Sequence, residues 1–180
     1  IWNINADKET IKLASEALKI SLSNLSLILE NPKNHNARNL MQKSSCLAGI
    51  AISKTKTALA HSISYPLTTN FNMPHGLACS FTLPEILSFN AKRDDGRLNE
   101  VSKKIGFENI DLLKLHLIDL FKNKFEVDKH LRKYLPKKFN LVESLIDQMS
   151  NPTRIKNNLR FVERKDIFNI LNKSLIDIYN

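Results

Sequence analysis

Apolar positions recur at intervals of three and four over most of the chain. Ile11, Ala14, Leu18, Leu22, Leu25 and Leu29 form one such stripe, which predicts a long helix from Asp7 to Glu30 capped by Asn5 or Asp7. The stripe is expected to be core. Asn31-Pro32-Lys33-Asn34 breaks the pattern, and His35 in that polar turn is expected to face solvent. Ala37 to Ser53 predicts a second helix, with Ser44, Ser45, Cys46, Ala48, Gly49 and Ala51 as one surface of small side chains. Small residues let another helix come close. A mid-helix Gly costs roughly 1 kcal/mol relative to Ala, so close packing is expected to compensate. This helix is expected to lie on the helices that follow and to fix His61.

Lys56 to Tyr65 is helix-compatible and is expected to stop at Pro66, which cannot continue a helix and pushes its predecessor out of helical geometry. His61 then falls in the last full turn, with Tyr65 on the same face four residues on. Leu67 to Met73 lacks helical period and reads as loop. Pro74-His75-Gly76 opens an apolar run to Leu83, since Pro suits a first helical turn.

Beyond Pro84, Glu85 to Asn90 precedes a polar loop, Lys92 to Gly96, whose Asp94 and Asp95 read as solvated. Leu98 to Ile105 is a short helix ended by Gly106. Asp111 to Phe125 is another, with Leu112, Leu115, Ile118 and Phe121 inward and His116 outward. Asn140 with Glu143 resembles a capping pair for a helix to Met149. Ser150 to Arg160 is a connector, and Glu163 to Tyr179 closes the chain as an amphipathic helix. No strand-like alternation persists, so the fold class expected is an all-α bundle. The 180 residues suit one helical domain.

Composition changes this picture little. No run of eighteen apolar residues exists, no signal peptide is evident, and position 1 is not Met. The net charge is +9, and the densest basic stretch is Lys129 to Lys138, where Tyr134 is interleaved. That stretch could serve a nucleic acid or an acidic partner, but no nucleic-acid motif accompanies it, and a solvated face is the simpler reading. Cys46 and Cys79 sit among apolar residues and read as buried free thiols of a reducing, cytoplasmic protein. No Gly-rich phosphate loop is present.

The chemistry gathers at His61 and His75. A helix end and a loop return over 14 residues can bring two neutral imidazoles to one point, which is a metal-site geometry with metal–nitrogen bonds of about 2.1 Å. Two ligands do not complete a zinc or iron site. Satisfied interior histidines are the plain alternative.

The stretch resembles the metal-binding signature of the iron-containing (group III) alcohol dehydrogenases: His61, then Pro74-His75-Gly76, then Leu83-Pro84. Tyr65 stands where many members carry a second His, and Ala60 to Thr68 is similar to the phosphonoacetaldehyde-reductase-like branch. Ala37-Arg38 with Met41, and Ser44 to Gly49, resemble the helix before the signature. Asn157-Asn158, Arg160 and Asp166-Ile167-Phe168 resemble the C-terminal segment, with Leu159 where Pro is usual. The resemblance covers only the second half of the family's architecture. The dinucleotide-binding domain and the Asp-x-x-x-His segment that supplies two further ligands are expected to be missing, so the isolated chain is expected to be inactive.

The resemblance implies a dehydroquinate-synthase-like helical domain and NAD(P)-linked reduction of a small aldehyde such as phosphonoacetaldehyde. It implies a divalent metal, iron or zinc, on His61 and His75. It implies a catalytic or pocket-lining role for Tyr65, substrate contact by Phe71 and Met73, and an assembly such as a homodimer.

Overall fold

The computed structural model describes residues 1–179. Helices dominate these residues, and the extended pairing among them is a single antiparallel bridge between Asn3 and Asn158. The all-α expectation holds.

Helix α1, Lys8–Glu30, is capped by Asp7, whose carboxylate accepts the Thr10 amide while the Thr10 hydroxyl accepts the Asp7 amide. Helix α2, His35–Thr55, runs back along it. Ser44 Oγ donates to the Ala17 carbonyl at 2.7 Å, and ion pairs Lys43–Glu16 and Lys54–Glu9 line the edge. The seam therefore buries Ser15, Ala17, Asn24, Ser44 and Ala51. Two expectations change here. The stripe of α1 is half-buried rather than core, and Leu29 is 58% exposed, because α2 covers a smaller and more polar face. The small surface of α2 is also largely free: Ser45, Cys46, Ala48 and Gly49 are exposed, and nothing lies within 4 Å of where a Cβ on Gly49 would stand. Helix α2 packs on α1, and a cleft of about 430 Å³ lies between this hairpin and the signature helices.

Helix α3, Leu59–Phe71, begins later than expected and runs straight through Pro66. An interior proline costs about 3 kcal/mol or more. Burial of Leu59, Ile63 and Leu67, all at 0% exposure in the main core, offsets that cost. The span read as loop is thus mostly helix. Asn72, at φ 51°, ends it in the left-handed region that Asn tolerates. Pro74 then leads into α4, His75–Ser80, and Pro84 sits in the first turn of α5, Leu83–Ala91.

Asp94 caps α6, Arg97–Lys104, through the amides of Leu98 and Asn99, while Asp95 pairs with Arg97. Helix α7, Ile110–Asp119, continues into a wider π-type turn, Leu120–Lys124. Its inward face is Leu113, Leu117 and Leu120, whereas Leu112 and Leu115 are exposed. His116 is half-buried against Phe107, with ring centroids 5.0 Å apart. The observed face is set by a second core of Leu87, Leu98, Val101 and Ile105, flanked by Ile11, Leu18 and Leu22.

Short helices follow: α8 Val127–Leu131, α9 Phe139–Glu143, α10 Ile146–Met149 and α11 Pro152–Ile155. Asn140 does not cap α9, which starts one residue earlier with Lys138 before it. Helix α12, Arg164–Ser174, opens on a Glu163–Asp166 capping box, and α13 is Ile176–Tyr179. The basic stretch lies on the surface, with Arg132 donating to the carbonyls of Asp177 and Ile178. Asn157 and Asn158 are buried and join distant parts. Asn157 donates to the Thr57 carbonyl at 2.9 Å, and Asn158 to Asn90 Oδ1 at 2.8 Å.

Candidate metal centre

His61 occupies the first turn of α3, not its last, because the helix runs on to Phe71. Tyr65 follows one turn later on the same face. The Asn72 reversal carries the chain back, so His75 opens α4 opposite them. The ring centroids of His61 and His75 lie 5.5 Å apart, those of Tyr65 and His75 5.5 Å, and those of His61 and Tyr65 6.4 Å. The convergence inferred from spacing is present.

A third donor joins them. Cys79 lies one turn beyond His75, its Sγ 3.5 Å from His75 Nε2, and donor atoms of His61, His75 and Cys79 all fall within 4.8 Å of one another. The i, i+4 spacing from His75 was the available signal for it. Cys79 is half-buried, and Cys46 is exposed, so the buried-thiol reading fails for Cys46. Its place on the open face of α2 explains this.

The electrostatics favour imidazole over thiol as the ready ligand. Burial, then His75, then Arg154 push the His61 pKa below its ordinary value, which keeps the ring neutral with its lone pair free. Burial pushes the Cys79 thiol up, so it holds its proton. The donor set fits a divalent metal. Two ligands with bonds of about 2.1 and 2.3 Å to one tetrahedral ion stand about 3.6 Å apart, close to the His75–Cys79 separation.

One side of the site opens into the cleft, lined by Trp2, Ala51, Lys56, His61, Cys79 and Ser80 among others. Phe71 and Met73 lie elsewhere: Met73 is buried in the main core and Phe71 is half-buried against it. On its other side, Tyr65 carries the guanidinium of Arg154, with Cζ 4.3 Å from the ring centroid. No local signal marks Arg154, since packing alone brings α11 to α3. His35 and His130 are exposed and are not members of the cluster.

The all-α fold thus turns two imidazoles and a phenol toward one point beside an apolar cleft. A family model for the C-terminal region of the Fe-containing alcohol dehydrogenases matches residues 1–175, and the chain belongs to that family. Among curated proteins it is similar to phosphonoacetaldehyde reductase of Streptomyces viridochromogenes, 32% identical over 89 residues, 49% of this chain and 22% of that one. It is also similar to sulfoacetaldehyde reductase of Bilophila wadsworthia, 36% identical over 87 residues, 48% of this chain and 22% of the other. A solved sulfoacetaldehyde reductase from Bifidobacterium kashiwanohense, in complex with NAD+, superposes with a TM-score of 0.84 at 26% identity, covering 96% of this chain and 45% of that one. The chain thus spans less than half the length of these relatives.

Proposed function

We propose that residues 1–180 form the metal-binding domain of an NAD(P)-linked aldehyde reductase or alcohol dehydrogenase. The observation that carries this reading is the convergence of His61, Tyr65 and His75 within the matched family region. Relatives named for phosphonoacetaldehyde and sulfoacetaldehyde support a small aldehyde as substrate.

His61 and His75 hold a divalent ion, iron or zinc, through neutral imidazole nitrogens, and further ligands come from outside this chain. Such an ion polarises a carbonyl oxygen and stabilises negative charge on it. Tyr65, beside both imidazoles, donates a hydrogen bond to the substrate oxygen. The apolar cleft bordered by Trp2 and Ala51 offers space for a small substrate on one side of the site. Met73, in the main core, and Phe71, packed against it, flank Asn72 and support the turn that leads to His75.

The test is elemental analysis of bound metal, on this chain and on a longer chain extended at its N-terminus to the length of the relatives. Metal in the longer protein that disappears in His75→Ala, together with NAD(P)H-dependent aldehyde reduction, is the expected result. A longer protein that binds no metal would overturn the reading.

A further inference from the structure

Resting on that reading, we infer that Arg154 is the anion-holding group of the site. Its guanidinium takes a tetrahedral oxyanion, phosphonate or sulfonate, carried a short distance from the aldehyde carbon.

Two hydrogen bonds position the segment that carries the guanidinium. Ser62, beside His61 on α3, donates its hydroxyl to the Met149 carbonyl, and both groups are buried. That bond ties the end of α10 to α3, and Asn151 then caps α11 through the Thr153 amide. The result places Arg154 Cζ over the Tyr65 ring, 4.3 Å from its centroid. A guanidinium over an aromatic face is attracted to it and keeps N–H groups for an acceptor.

That edge has no acceptor among the described residues. The other half-buried arginines do: Arg97 pairs with Asp95 and donates to the Asn3 carbonyl, and Arg160 donates to the Phe89 carbonyl. A half-buried cation without a counter-charge is unfavourable. The three-donor cluster beside it contains no carboxylate. A bound divalent ion would add positive charge. The arrangement therefore favours a ligand that brings negative charge to Arg154 while its carbonyl lies on the imidazole side of Tyr65. Tyr65 borders both positions, with its ring centroid 4.3 Å from Arg154 Cζ and 5.5 Å from the His75 ring, which favours a short ligand lying along it. A planar N–H fork matches two oxygens of a tetrahedral oxyanion.

The experiment titrates the chain with methylphosphonate and, separately, methanesulfonate, following the Arg154 Nε–H and Tyr65 ring signals by NMR. Cobalt binding to the histidines is measured in parallel. The expected result is saturable binding of at least one anion, weakened roughly tenfold or more in Arg154→Gln, partly restored in Arg154→Lys and unchanged in Lys156→Gln. Binding of one anion but not the other identifies the oxyanion selected. Equal affinity in wild type and Arg154→Gln, or no binding of either anion to wild type, overturns the inference. Cobalt bound by both proteins in that case leaves the histidine reading standing. Anion binding that depends on Arg154 without cobalt binding supports the inference, and the metal reading is then decided on the N-terminally longer protein, because this chain supplies only part of the ligand set.

Discussion

The imidazoles of His61 and His75 stand 5.5 Å apart by ring centroid, although 14 residues separate them in the chain. The link between them is not the flexible loop that Pro66 suggests. It is nearly three further turns of α3, a left-handed Asn72 and the Pro74 entry to α4. The site is thus held by regular structure on both sides.

Asn72 is the pivot of that reversal. Asn72→Gly is expected to fold normally and keep metal affinity, since Gly adopts positive φ freely. Asn72→Val places a β-branched residue at φ 51° and is expected to lower stability by about 1–2 kcal/mol, with weaker metal binding. Urea unfolding and cobalt titration of the two variants check this. Equal behaviour would show that the left-handed residue does not set the site.

His61 gives the apo chain a pH dependence of defined sign. Its folded-state pKa lies below the ordinary 6.5, chiefly through burial, so the unfolded chain takes up the proton first as pH falls. Stability is expected to decline as pH drops from about 6.5 toward the lowered value, and to level off beneath it. His61→Gln should flatten that decline. Urea midpoints across this range provide the measurement, and parallel curves for wild type and variant would contradict it.

The two thiols should differ in reactivity. Cys46 is exposed, while burial keeps Cys79 protonated and partly covered. Titration with a chromogenic disulfide is expected to give one fast equivalent, lost in Cys46→Ser, and one slow equivalent, lost in Cys79→Ser. Two equally fast thiols would be inconsistent with the half-buried position of Cys79.

The face of α7 is a further test. Leu113→Ala is expected to destabilise the chain by about 2–5 kcal/mol, because it opens a cavity in the second core. Leu115→Ala, at a position 59% exposed, should stay within about 0.5 kcal/mol of wild type. Chemical denaturation distinguishes them, and the reverse order would restore the inward face first read from the sequence.

The sequence by itself determined the helical class, most helix centres and the pair His61 and His75, because periodicity, caps and motif spacing are properties of neighbouring residues. It also carried the family, since the signature is local. It misjudged Pro66, because a proline's cost is local whereas the burial of Leu67 that offsets it is not. It misjudged α7 and the small face of α2 for a related reason: a helix with apolar residues on several sides, or small ones on one, is oriented only by what packs against it. Arg154 lay beyond its reach altogether. Tyr65 and Arg154 are 89 positions apart, and their 4.3 Å contact exists only because α10 and α11 dock on α3. Tertiary packing decided which charges lie beside the His61–His75 pair, because no local pattern couples residues on separate helices.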